Sequence, residues 1–233
     1  VSAWDAIWQA RRPGPERPSV LAHLMAADGL DSGFAQLDEP GWVEGVTGLC
    51  GRLGLSPDMS VFEVGCGAGA FLYVLANQGF AVAGLDQSPA LVARAAAVMP
   101  SGAFTVADAT QLNVSRRFDA VVSYGVFMYF RSEPYAGLVL ERMRDKARRL
   151  VAVLDVPDRA EQAGATGYRE RLAGGPDAYA ERYAGLEHRY YDRDWMAQRL
   201  LDLGLIDVRV ERQSIDPGGN GRHRFNAWGS VPA

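Results

Sequence analysis

From residue 60 onward the chain alternates short apolar runs with amphipathic stretches. The runs Val61–Val64, Ala81–Leu85, Ala103–Val106, Ala120–Tyr124 and Leu150–Leu154 show no polar alternation, the pattern of parallel strands buried on both faces. Between them Phe71–Asn77, Pro89–Met99 and Pro134–Met143 carry apolar residues at helical spacing. The boundaries agree. Gly79 follows the first helix where a terminating glycine belongs, Ser88-Pro89 supplies an N-cap and a first-turn proline, and Pro134 opens its helix in the same way. Alternating units of this kind predict an α/β fold with a doubly wound, mostly parallel sheet.

The flanks depart from this rhythm. In residues 1–56, Trp4, Ile7 and Trp8 share helical spacing, Pro13, Pro15 and Pro18 interrupt it, and Trp42, Val46, Leu49, Cys50 and Leu53 mark a further amphipathic helix. This segment is read as an N-terminal helical cap on a main domain of residues 57–233. Residues 157–190, rich in Tyr, Arg and Gly, read as an insertion or lid. A helix over Asp192–Leu203 follows. Strands at Ile206–Ile215 and His223–Gly229, joined by the turn Asp216-Pro-Gly-Gly-Asn-Gly221, predict a closing antiparallel hairpin.

Composition narrows the class. The 233 residues are 48% hydrophobic and 22% charged, a globular balance that excludes wholesale disorder. A formal charge of −4 argues against a nucleic-acid partner, because neutralising phosphates takes a cationic face. The cluster Arg142, Arg144, Lys146, Arg148 and Arg149 reads as a solvated helix face. Two cysteines, Cys50 and Cys66, predict a reducing, cytoplasmic setting. No stretch approaches the ~18 apolar residues of a membrane span, and residues 1–20 hold no apolar signal core. Because the first residue is Val1, the sequence is expected to start after processing or truncation.

The chemistry is announced by Val61-Phe-Glu-Val-Gly-Cys-Gly-Ala-Gly-Ala-Phe-Leu72, a strand, a glycine turn and a helix start. Such a turn lets a ligand approach the backbone beside free helix amides. Gly65-x-Gly67-x-x-Ala70 satisfies a dinucleotide fingerprint, with Asp86 about 20 residues on as the ribose acid. A nicotinamide-dependent oxidoreductase therefore stands as one reading, and a non-catalytic binding module as another.

Four segments point elsewhere. Glu63-x-Gly65-x-Gly67-x-Gly69 resembles motif I of the class I S-adenosylmethionine-dependent methyltransferases, and Asp86-Gln87-Ser88 resembles their second motif. Ala107-Asp108-Ala109 resembles the segment that meets the adenine amine, and Arg117–Val126, with Asp119 opening the strand and Ser123-Tyr124 ending it, resembles the fourth motif. The resemblance spans residues 60–155 and implies a Rossmann-like seven-stranded sheet with the C-terminal hairpin antiparallel. It implies S-adenosylmethionine as cofactor, held by Glu63, Gly65, Cys66, Gly67, Gly69, Asp86, Gln87, Ser88, Asp108, Ala109, Ser123 and Tyr124. Within this set Cys66 is expected to pack, with its backbone rather than its sulfur near the ligand.

The methyl acceptor is expected above the ends of the first and fourth strands. Phe127, Met128 and Tyr129, in the aromatic run after the fourth strand, are candidate walls, with core packing as the alternative. Asp31, Gly33 and Phe34 are placed as a cover. His188 is the candidate proton acceptor, with Tyr191 beside it and Tyr190 orienting the substrate. Arg222 and Arg224 are candidate holders of an anionic acceptor, with a surface role as the alternative. No His, Cys and Asp cluster has metal-ligand spacing. The tail segments His188–Trp195 and Asn220–Asn226 resemble small bacterial methyltransferases of specialised metabolites and glycoconjugates, which implies a small-molecule acceptor; O-methylation is expected slightly ahead of N-methylation. An Asn/Asp-Pro-Pro-Tyr signature is missing after the fourth strand, where Ser123-Tyr-Gly-Val126 stands instead, which weakens a base- or amide-methylating reading.

Overall fold

A computed structural model of the chain describes residues 3–31, 34–216 and 218–232. Seven strands form one sheet in the order β3-β2-β1-β4-β5-β7-β6. They are β1 (Ser60–Val64), β2 (Ala81–Asp86), β3 (Ala103–Val106), β4 (Phe118–Tyr124), β5 (Ala147–Pro157), β6 (Ile206–Arg212) and β7 (Arg224–Ser230). The first five are parallel, and β7 runs antiparallel between β5 and β6. The expected class I architecture and antiparallel ending are therefore present.

Neighbouring strand residues enter opposite layers, as pleating requires. Val61, Ala120, Val122, Ala152 and Leu154 join one core with α3 (Glu39–Leu53), α4 (Ala70–Asn77) and α5 (Pro89–Val98). Phe62, Val64, Val121, Val151 and Val153 join the other with α6 (Glu133–Lys146) and α9 (Arg193–Asp202). Both sheet faces are covered, which explains why the strands read as unbroken apolar runs. Trp42 anchors the first core, fully buried with its indole N–H donating to the Ala70 carbonyl at 3.2 Å.

The N-terminal residues add α1 (Ala3–Ala10) and α2 (Val20–Asp28). The second has no clear sequence signature. Leu21, His23, Leu24, Met25 and Ala27 are all buried, so no clean polar stripe marks the helix. Ser19 caps its start by accepting from Ala22 N at 2.9 Å, and Gly29 ends it in the left-handed region. Residues 157–190 supply α7 (Gln162–Ala173) and α8 (Pro176–Tyr183).

The ends of β5 and β6 differ from expectation. β5 continues to Pro157, past a register shift between Val153 and Val156 where Asp155 adopts φ 59°. β6 stops at Arg212 because Gln213 Oε1 accepts from the N–H groups of Ser214 and Ile215, turning the chain inward. Among the described residues no helix is long and apolar enough to cross a membrane.

Candidate active site

The glycine turn sits where β1 hands over to α4, at the carboxyl edge where open α/β sheets bind ligands. Gly65 N and Cys66 N both donate to the Leu85 carbonyl, at 2.8 and 2.9 Å, tying the turn to β2. Gly65 has φ 78°, and a Cβ there would overlap the Val126 side chain. Gly67 has φ 52°, and a Cβ there would overlap the carboxylate of Asp28. That carboxylate, at the end of α2, accepts from Ala68 N at 2.6 Å and Ala70 N at 3.0 Å.

Three further acids stand at successive strand ends around one cavity of about 200 Å³. Glu63 on β1 is buried, and its Oε2 has no hydrogen-bond partner among the described residues. Burial first, then Asp28 and Asp86, push its pKa well above the ordinary value. Asp86 accepts from Gly67 N (3.0 Å) and Ser88 N (2.8 Å), and burial raises its pKa against those bonds. Asp108 uses Oδ1 for Thr110 N (2.8 Å), Thr110 Oγ1 (2.5 Å) and Tyr135 OH (2.9 Å). Burial pushes the Asp108 pKa up, but those bonds and Arg131 more than offset it and leave the group below its usual range.

Of the residues expected to hold the cofactor, Glu63, Gly65, Cys66, Gly67, Asp86, Gln87, Asp108, Ala109 and Tyr124 line this cavity. Three do not. Gly69 turns against Met99 and Ala95, Ser88 is fully buried, and Ser123 is a core residue whose hydroxyl donates to the Val64 carbonyl at 2.9 Å.

The acceptor side needs more correction. Met128 and Tyr129 line the cavity, but Phe127 is buried in the core against Phe130 and Tyr191. Tyr191 is also core, its hydroxyl spent on the Phe127 carbonyl at 2.9 Å. Phe34 packs on Tyr179 and Tyr183, Asp31 approaches Arg17 at 3.7 Å, and Gly33 falls outside the described residues. Arg222 is exposed and lies over the Tyr168 ring.

His188 packs against the rings of Tyr129 and Trp4, which also touch each other, and lines a second cavity with Tyr190, Arg159 and Arg189. The Tyr190 hydroxyl oxygen accepts from Arg169 Nη1 at 3.1 Å. Burial, with the Arg169 and Arg224 cations, holds His188 well below its ordinary pKa, so its ring is neutral. A neutral imidazole could accept a proton, but a base must first reach it. Because His188 does not line the first cavity, His188→Ala should change turnover by less than about threefold, checked by steady-state kinetics.

Asp155, Asn220 and Trp8, which no sequence motif marked, join the expected Arg224 and Tyr124 in lining the cavity. Asp155, in its left-handed conformation at the end of β5, forms a 2.6 Å ion pair with buried Arg224 and accepts from Gln213 Nε2 at 3.0 Å. A non-glycine residue held there is strained, and such residues gather at functional sites. Asn226 Oδ1 accepts from Asp155 N at 2.8 Å, and Arg224 also donates to the Asp155 carbonyl at 3.0 Å. Asn220, Tyr124 and Trp8 line the same end, with Trp8 of α1 meeting Tyr129 edge-on at 5.3 Å.

Comparison with known proteins follows this geometry. Residues 61–149 match the family model described as a methyltransferase domain. Among solved structures, magnesium protoporphyrin IX methyltransferase from Synechocystis, with bound S-adenosylhomocysteine, superposes with TM-score 0.65 at 16% identity, covering 99% of this chain and 96% of that one. A S-adenosylmethionine-dependent methyltransferase from Clostridium acetobutylicum gives TM-score 0.62 at 12% identity, covering 91% and 98%. DesVI from Streptomyces venezuelae gives 0.59 at 15%, covering 94% and 100%. No curated protein matches the sequence. The structural likenesses establish the fold, and the family match covers the glycine turn and all three strand-end acids. Residues 61–149 thus match a methyltransferase domain, within a fold shared with S-adenosylmethionine-dependent methyltransferases.

Proposed function

We propose that the enzyme methylates a hydroxyl of a small molecule in bacterial specialised metabolism, at the end of the cavity formed by Tyr124, Met128, Tyr129, Asp155 and Arg224. The observation that carries the cofactor side is the buried, unpartnered Glu63 carboxyl between the glycine turn and Asp86. Burying such a group without a partner is costly, and a ligand that brings a donor removes the cost. Asp86 fits a ribose diol and Asp108, through its second oxygen, an exocyclic amine, while Glu63 fits a cationic end. S-adenosylmethionine has these features and, when bound, supplies an electrophilic methyl group.

The chain's own part in the reaction is to place the acceptor, exclude water and receive the acceptor's proton. Trp8, Tyr129 and Met128 provide an apolar enclosure. Asp155 offers a carboxylate to an acceptor O–H. The Arg224 guanidinium held against it favours an oxygen gaining negative charge and disfavours a bound ammonium. That asymmetry supports a hydroxyl over an amine. The tail segments that resemble small bacterial methyltransferases support the metabolic setting.

Thermal unfolding with S-adenosylhomocysteine and with NAD tests the cofactor side. At 100 times its Kd a ligand of the native state adds about 2.7 kcal/mol. S-adenosylhomocysteine should therefore raise the midpoint and NAD should leave it unmoved. The reverse result would sink the reading. Turnover of paired hydroxyl and amine acceptors, with products weighed by mass spectrometry, tests the acceptor side.

A further inference from the structure

The glycine turn holds a carboxyl group of its own. α4 begins with free amides, the arrangement that in dinucleotide folds receives a pyrophosphate. Here the Asp28 carboxylate spans them, one oxygen on Ala68 N and the other on Ala70 N. The chain is built to bring it there. Arg11 fixes the end of α2 by donating from Nε to the Ala27 carbonyl at 2.6 Å and from Nη2 to the Ala26 carbonyl at 3.1 Å. Gly67 leaves the space that the carboxylate fills. A glycine commonly read as room for a ligand is, in this protein, room for a side chain from another helix.

We infer that Asp28 is a specificity-determining residue, a resident anion that closes the glycine turn to phosphate-bearing nucleotides and reserves it for the cationic end of S-adenosylmethionine. The inference rests on the cofactor reading above. A phosphate entering the turn would meet amides already bonded and the carboxyls of Asp28, Glu63 and Asp86. An ammonium or sulfonium would meet the same groups as partners.

The groups facing Asp28 are Asp86 and Glu63 from β2 and β1, Cys66 from the turn and Arg11 from the segment after α1. Burial pushes the Asp28 pKa up to about 7, against the two amide bonds, with Asp86 adding to the rise and Arg11 opposing it. The sign follows. A raised carboxyl pKa means that the free native protein keeps a proton the unfolded chain has lost, so its stability falls as pH rises toward and through about 7. A cationic ligand favours the ionised form, so affinity for it should grow between pH 6 and pH 8.

The test is isothermal titration of S-adenosylmethionine, S-adenosylhomocysteine and ADP into the wild type, Asp28→Asn and Asp28→Ala. ADP shares the adenosine with the other two and differs in what it presents to the turn. The wild type should prefer S-adenosylhomocysteine to ADP strongly, and that ratio should fall at least about tenfold in both variants. The rise of S-adenosylmethionine affinity with pH should flatten in the isosteric Asp28→Asn, which preserves packing. A ratio unchanged within about twofold, with the pH dependence intact, overturns the inference while leaving the cofactor reading standing. A wild type that binds ADP as tightly as S-adenosylhomocysteine overturns it as well. A wild type that binds neither S-adenosyl compound sinks the cofactor reading and the inference together.

Discussion

Asp86→Ala should weaken S-adenosylhomocysteine binding about 100-fold, the largest loss expected from any single change among the acids of the cavity. Two effects add. The carboxylate faces the cavity where a ribose diol would lie, and each hydrogen bond to a charged acceptor contributes about 1.5–3 kcal/mol. It also receives Gly67 N and Ser88 N, so its removal frees two amides and loosens the link between β2 and the turn. Asp86→Asn, which keeps one oxygen but no charge, should lose closer to tenfold. Titration calorimetry on both variants checks the ordering. Equal losses would show that charge is not what the site uses, and no loss would remove Asp86 from the cofactor site.

Gly65→Ala should cost about 2–5 kcal/mol of stability, two costs again combining. The left-handed backbone is worth about 1–2 kcal/mol against any residue with a Cβ, and overpacking a fitted contact adds about 1–3. Here the new methyl would overlap the β-branched Val126, whose χ1 is restricted. For a chain of this length the melting temperature should fall by about 2–4 °C for each kcal/mol. Adding Val126→Ala separates the two costs. The double variant should recover the steric part and leave the backbone part, read by thermal unfolding as a non-additive cycle. A double variant no more stable than Gly65→Ala would show that the strain lies in the backbone alone.

The cofactor half was legible because it is local. Glu63, the glycine turn, Asp86 and Asp108 each stand at the end of a strand whose apolar run is visible, and spacing then fixes their common edge. The acceptor half was not. Asp155 lies 69 residues before Arg224 in sequence and meets it only because β7 threads between β5 and β6. His188 and Tyr191 were drawn toward the chemistry by residue type, yet a three-residue step along an extended segment puts one beside Trp4 and the other in the core. Arg222 and Arg224 show the same effect at closer range, since one is exposed and the other buried against an acid. Asp28 escaped for a different reason. Its helix is buried on most sides, so it lacks the polar stripe that would mark it, and only Ser19 and Gly29 at its ends betray it.

The placement of β7 also bears on the order in which the protein becomes whole as it is made. Residues from 60 to 135 hold four of the five parallel strands, with the strand-end acids, and are made well before residue 224 leaves the ribosome. The partner that neutralises Asp155 comes only with the last strand, as does the edge that pairs with β5. A nascent chain would therefore own a nucleoside pocket before it owned a place for anything to be methylated. Until then β5 presents an unpaired, apolar edge, the kind of surface on which slow-closing sheets aggregate.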